Sequence, residues 1–150
     1  FMNLGAFAVV AFLRNTLGSE EIADYAGLIR SAPVTATAFT GILVSLIGIP
    51  PLVGFIGKFA IFQSLVAAGG PIMIALLVIA GINTAISLVY YLRVAKVMCI
   101  DAPPANRGVI SIGVMPAIYM LIVAIPALVY GIIPARILEI AREATQQLLM

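Results

Sequence analysis

The sequence predicts an all-α protein, a polytopic transmembrane helix bundle containing one discontinuous helix. Three observations point there. The chain is 63% hydrophobic and only 9% charged, with a mean hydropathy of +1.21, whereas a water-soluble domain carries roughly 25% charged residues. The charges fence off long neutral stretches: 27 residues separate Arg30 from Lys58, 34 separate Lys58 from Arg93 and 28 separate Arg107 from Arg136. A membrane-crossing helix needs about 20 predominantly apolar residues, so these stretches supply the spans. The third observation is the Gly48-Ile49-Pro50-Pro51 break inside the first long neutral stretch. Proline lacks the N–H and clashes with the preceding turn, so a regular helix cannot run through it.

Residues 1–13 are apolar, too short for a full crossing, and read as the tail of a longer helix in a C-terminal fragment. No basic segment precedes them, which argues against a signal peptide. Residues 14–33 form a polar connector with Arg14, Glu20, Glu21, Asp24 and Arg30. Ser19 ahead of two acids suits the N-cap of a short interfacial helix reaching Leu28. Residues 34–68 form the stretch broken at 50–51, either a helical hairpin or one interrupted span. Gly69-Gly70-Pro71 closes it, and a helix over 71–98 follows, opened by Pro71 and ended by Arg93 and Lys96. The last span covers 111–134 with a kink expected at Pro126. Residues 135–150 alternate apolar and charged faces, as in a helix lying on a membrane surface or a partner.

Charge asymmetry arbitrates the break. If 34–68 crosses once, Arg14, Arg30, Arg93, Lys96 and Arg107 share one side against Arg136 and Arg142 on the other. A hairpin would divide the same side's cations almost evenly. Short loops on the cytoplasmic side are enriched in Lys and Arg, so a single discontinuous span is expected, with 14–33 and 99–108 cytoplasmic and the C-terminus outside.

The composition removes several function classes. The chain has no histidine and one cysteine, Cys99. Haem, iron–sulfur and most zinc centres, like Ser-His-Asp and Cys-His chemistry, need more than that. No metal site and no bound cofactor are expected. Basic residues are scattered, which gives no footprint for nucleic acid.

Lys58 is the sharpest candidate. An ammonium at bilayer depth costs about 2.5–3.5 kcal/mol on insertion scales and is functional by default. The alternative is a lysine whose amine snorkels to the interface. The break seven residues earlier favours function, because interrupted helices expose backbone that must line a cavity or water. Pro50, Pro51, Gly54 and Gly57 thus belong to the candidate cavity, although the two glycines also suit close helix packing. The Gly54-Phe55-Ile56-Gly57-Lys58 string is no phosphate loop: Leu52 stands where its first glycine belongs and Phe59 where its Ser or Thr belongs. Asn83, Ser87 and Tyr90 make a polar stripe that either glues helices or holds water. Arg93 is a further polar candidate, although orientation charge explains it as well.

Four blocks carry a family resemblance: Phe1-Met2-Asn3-Leu4-Gly5-Ala6-Phe7, Asp24-Tyr25-Ala26-Gly27-Leu28, Ser45 through Phe59, and Tyr90-Tyr91-Leu92-Arg93-Val94-Ala95-Lys96. In this order they resemble the C-terminal third of the subunit N type within the antiporter-like membrane subunits of proton-pumping NADH:quinone oxidoreductase, respiratory complex I. The resemblance implies the last four helices of a fourteen-helix subunit, the first incomplete, in the inner (plasma) membrane of a bacterium. It implies other membrane subunits and the bilayer as partners. NADH and quinone would be used by the whole complex, none bound by this chain. It further implies that Lys58 exchanges protons with the outer side. A cation/proton antiporter subunit shares the Ser45–Phe59 block, and a structural membrane subunit without transport shares the helices. The Tyr90–Lys96 segment speaks against the antiporter.

Overall fold

The computed structural model describes residues 2–104, 113–132 and 139, and within them the chain is all helix and turn. Six α-helices follow in order: α1 (Met2–Leu17), α2 (Leu28–Ser31), α3 (Pro33–Ile47), α4 (Val53–Ala68), α5 (Pro71–Cys99) and α6 (Val114–Ile132). The stretch 105–112, residues 133–134 and the expected amphipathic tail, except Glu139, lie outside the described residues.

Helix α1 runs four residues past the expected end at Leu13. Arg14, Asn15 and Thr16 are exposed and need no lipid, Thr16 returns its hydroxyl to the Phe12 carbonyl at 3.0 Å, and Gly18 (φ 71°) closes the helix with its N–H on Arg14 O at 2.7 Å. The expected helix from Ser19 to Leu28 does not form as one piece. The chain makes a 3₁₀ turn at Ile22–Tyr25 and then the single turn of α2. Ser19 accepts the Glu21 N–H in a local turn at 3.1 Å, and Gly27 takes φ 64°, which ends any helix running through it. Glycine is required there for space too: a Cβ on Gly27 would lie 2.8 Å from Pro103.

The chain between Ile47 and Val53 leaves helical geometry. Gly48 closes α3 at φ 85°, its N–H shared between Ser45 O and Val44 O at 3.0 and 3.2 Å. This is the left-handed glycine stop expected after a helix. The Pro50-Pro51 bond is cis, and Leu52 enters α4 from extended backbone.

Two contacts decide between hairpin and single crossing. The Gly27 N–H, just ahead of α3, donates to Val97 O near the end of α5 at 3.1 Å. The last residue of α4 joins the first of α5 through Gly69-Gly70. The start of α3 therefore lies beside the end of α5, and the end of α4 beside its start. Together α3, the break and α4 run antiparallel to α5, which is 29 residues or about 43 Å long. The pair of half-helices is one discontinuous helix.

Packing divides the bundle. Helices α1, α3, α6 and the end of α5 bury Val9, Leu13, Phe39, Ile42, Met98, Met120 and Val123. Phe12 meets Tyr119 edge-on at 5.8 Å between centroids. Gly5 of α1 lets Val123 of α6 sit against its backbone. By contrast α4 buries no residue, and α5 buries none before Ser87. Ile61, Val66, Ile72, Leu76 and Val78 are exposed there. A helix apolar on every side needs lipid or other helices around it, and among the described residues α5 alone is long and apolar enough to cross a membrane by itself. Helix α6 continues through Pro126.

The glycines of α4 are not equivalent. A Cβ on Gly54 would collide with the Ser45 carbonyl, whereas one on Gly57 would meet nothing within 4 Å. Replacing Gly54 with alanine is expected to cost about 1–3 kcal/mol through overpacking. Gly57→Ala is expected to be neutral or stabilising by up to about 1 kcal/mol. Thermal unfolding of the two variants in detergent measures the difference.

Candidate functional site

The site is built by the break. The last turn of any helix leaves carbonyls without an intrahelical partner, and in an apolar surrounding each is costly. At the end of α3 the vacancy at Ile47 O is filled from the other half-helix: Lys58 Nζ donates to it at 2.9 Å. The ammonium thus sits where the α3 dipole concentrates negative partial charge. The Lys58 stem lies along Gly48, so that a Cβ there would approach Lys58 Cδ to 3.0 Å. Lys58 is half-buried. It does not extend to the polar end of the bundle, where Arg14 pairs with Glu20 at 2.8 Å and Lys96 with Asp101 at 3.3 Å. Apart from Lys58 and Glu139, every charged residue among the described ones lies at that end, in the connector or within the last two turns of α5 and the loop after it.

Pro51 and Leu52 are held from the far side by α6. Gly131 lies against the Pro51 carbonyl, and a Cβ on it would come within 2.7 Å of Leu52 Cα. Across the other flank Ser45, fully buried, donates its hydroxyl to Met2 Sδ at 2.8 Å. The break is thereby clamped between α1 and α6. Neither Gly131 nor Met2 stood out in the sequence, where one is an ordinary helix glycine and the other an apolar residue among many.

The polar stripe of α5 is partly assembled. Tyr90 donates its hydroxyl to Ser87 Oγ at 3.1 Å, and Ser87 donates to the backbone carbonyl of Asn83 at 2.8 Å. The Asn83 side chain is exposed, as is that of Arg93 one turn toward the polar end. Tyr90 packs on Tyr91 with ring centroids 4.5 Å apart and lies within electrostatic reach of the Lys58 ammonium. Tyr90 and Ser87 are thus joined on α5, and the Asn83 amide and Arg93 stand apart from them.

The half-helices α3 and α4 thus make a discontinuous helix whose second half returns a lysine to the carbonyl end of the first. Residues 1–87 match the family described as NADH:quinone oxidoreductase/Mrp antiporter, transmembrane, and the chain belongs to that family. It is similar to the NADH-quinone oxidoreductase subunit N of Desulforamulus reducens, 39% identical over 150 residues, which is 100% of this chain and 30% of that protein. It is 46% identical over 106 residues to the subunit N of an Anaeromyxobacter species, 68% of this chain and 20% of that one. The fold matches a chain of respiratory complex I from Thermus thermophilus with bound aureothin, at a TM-score of 0.67 and 25% identity, covering 89% of this chain and 32% of that chain. The chain thus spans about a third of the length of these relatives.

Gly48 carries both the left-handed turn and the contact with Lys58. Gly48→Ala is expected to destabilise the protein by about 1–2 kcal/mol from the left-handed backbone alone. Thermal unfolding beside Gly57→Ala, which lacks both constraints, isolates the effect.

Proposed function

We propose that this chain is the C-terminal part of a membrane-arm subunit that moves protons across a bacterial plasma membrane, coupled to electron transfer from NADH to quinone elsewhere in the complex. Lys58 is the proton-carrying group. The observation that carries the reading is the 2.9 Å bond from Lys58 Nζ to Ile47 O across the break.

That bond makes proton occupancy and backbone geometry one variable. The ammonium offers three donors and a full charge to a helix C-terminus. The neutral amine keeps donors but loses the charge–dipole attraction, so its hold on α3 weakens. A change in the charge nearby shifts the proton, and a shift of the proton loosens the contact between half-helices; the coupling is reciprocal. Pro50 and Pro51 keep the carbonyl available, since no continuing helix can consume it. In this reading the 14–33 and 99–108 loops face the cytoplasm and the C-terminus the outside. NADH and quinone act on other subunits of the assembly.

Lys58→Met in the full-length protein within its complex is the test. Proton pumping is expected to fall while the complex still assembles, read by pH-sensitive dye in vesicles beside the NADH:quinone rate. Normal pumping with normal electron transfer would exclude Lys58 as the carrier. Exchange of sodium for protons in the absence of any quinone reductase would favour a cation/proton antiporter.

A further inference from the structure

A hydroxyl inside a helix has a ready acceptor in the carbonyl four residues back. Thr16, Ser64, Thr84 and Ser87 each use it, at 2.8 to 3.0 Å. Ser45 does not. Its hydroxyl leaves α3 and donates to Met2 Sδ of α1 at 2.8 Å, and the residue is fully buried. A thioether is a weak acceptor. What the bond adds is a link between two helices rather than strength.

The main chain of Ser45 serves the break. Its carbonyl accepts the Gly48 N–H at 3.0 Å and lies against Gly54 of α4. Ile47, whose carbonyl receives Lys58 Nζ at 2.9 Å, follows in the same last turn of α3. Ser45 therefore reaches α1 with its side chain and both flanks of the break with its carbonyl. Apart from the lysine bond, the nearest other polar tie from α3 to a neighbouring helix among the described residues is Thr40 with Cys99 of α5, at 3.4 Å. It lies about two turns earlier, at 3.6 residues per turn. How firmly a carbonyl holds an ammonium depends on its distance and aim. The turn that aims the Ile47 carbonyl is fixed to α1 at Ser45.

We propose that Ser45 is a positioning residue: bonded to Met2, it fastens the last turn of α3 to α1 and so sets how firmly the Ile47 carbonyl holds the Lys58 ammonium. The proposal rests on Lys58 being the proton carrier. Ser45 keeps its own hydrogen, exchanges nothing with Lys58 and acts only through the backbone between positions 45 and 47. With the link intact, α4 works against a fixed carbonyl. Without it the turn gives way with α4, the ammonium form is held less, and the same proton occupancy requires more acid. A displacement of α1 reaches the lysine through the same contact.

Ser45→Ala and Met2→Leu, each in the full-length protein within its complex, test it. Both remove the hydrogen bond and little volume. Proton pumping in vesicles is followed against pH beside the NADH:quinone rate. In each variant the alkaline limb of the pumping profile is expected to move toward acid by a few tenths of a pH unit, with assembly unchanged. The double variant is expected to move it no further than either single one, because both delete the same bond. Ser64→Ala, which deletes a hydroxyl bonded within α4, is expected to leave the profile in place. Should Ser45→Ala fail to assemble, Met2→Leu carries the test alone. An unmoved profile in Met2→Leu overturns the proposal, and so do shifts that add in the double variant. Failure of the carrier reading shows separately, as normal pumping in Lys58→Met.

Discussion

One unfilled carbonyl organises this structure. A helix that stops inside an apolar bundle leaves its last carbonyls facing no water, and hydrocarbon supplies no donor. Stopping α3 at Gly48 therefore demands a donor from the protein, and at Ile47 that donor is the amine of Lys58. The same bond answers the converse problem, since an ammonium in such surroundings needs an acceptor. Each partner makes the other tolerable. The break and the lysine are thus two halves of one solution, and neither would persist alone.

The surroundings hold this pair by backbone contact more than by side-chain interlock. Gly54 lays α4 on the Ser45 carbonyl, and Gly131 lays α6 on Pro51 and Leu52. A methyl group at either position would occupy space that main-chain atoms already fill. Close approach of this kind is how helices associate where the hydrophobic effect gives no drive between them. It also locates rigidity at the break, while α4 beyond it buries nothing among the described residues.

Much of this was legible in the chain. Two adjacent prolines and a preceding glycine announce the interruption, and a single charge between long neutral stretches announces Lys58. The weak excess of cations on one side pointed to one crossing, and the Gly27–Val97 bond gives the same answer from geometry. The partner of Lys58 was not legible, because a backbone carbonyl has no letter of its own. The contrast between Gly54 and Gly57 was also hidden: both sit on the same helix, and only the neighbour's position distinguishes them. The connector misled because Ser19 with two acids resembles a cap, whereas Gly27 serves the Val97 contact instead. Tyr25 looked like one more connector residue, yet Ala26, Gly27 and Leu28 beside it are buried with it.

Gly27 also anchors the whole antiparallel pair. Its N–H on Val97 and its contact with Pro103 pin the start of α3 to the end of α5. At the opposite extreme, Gly69-Gly70 links α4 to α5, with no buried side chain in α4 or in the first sixteen residues of α5. Mechanically this is a cantilever, clamped at one end and loaded at its tip. Ile47 ends α3 and Lys58 stands in the second turn of α4, so the contact lies between clamp and tip, and a sideways excursion at the glycine pair reaches the amine along α4.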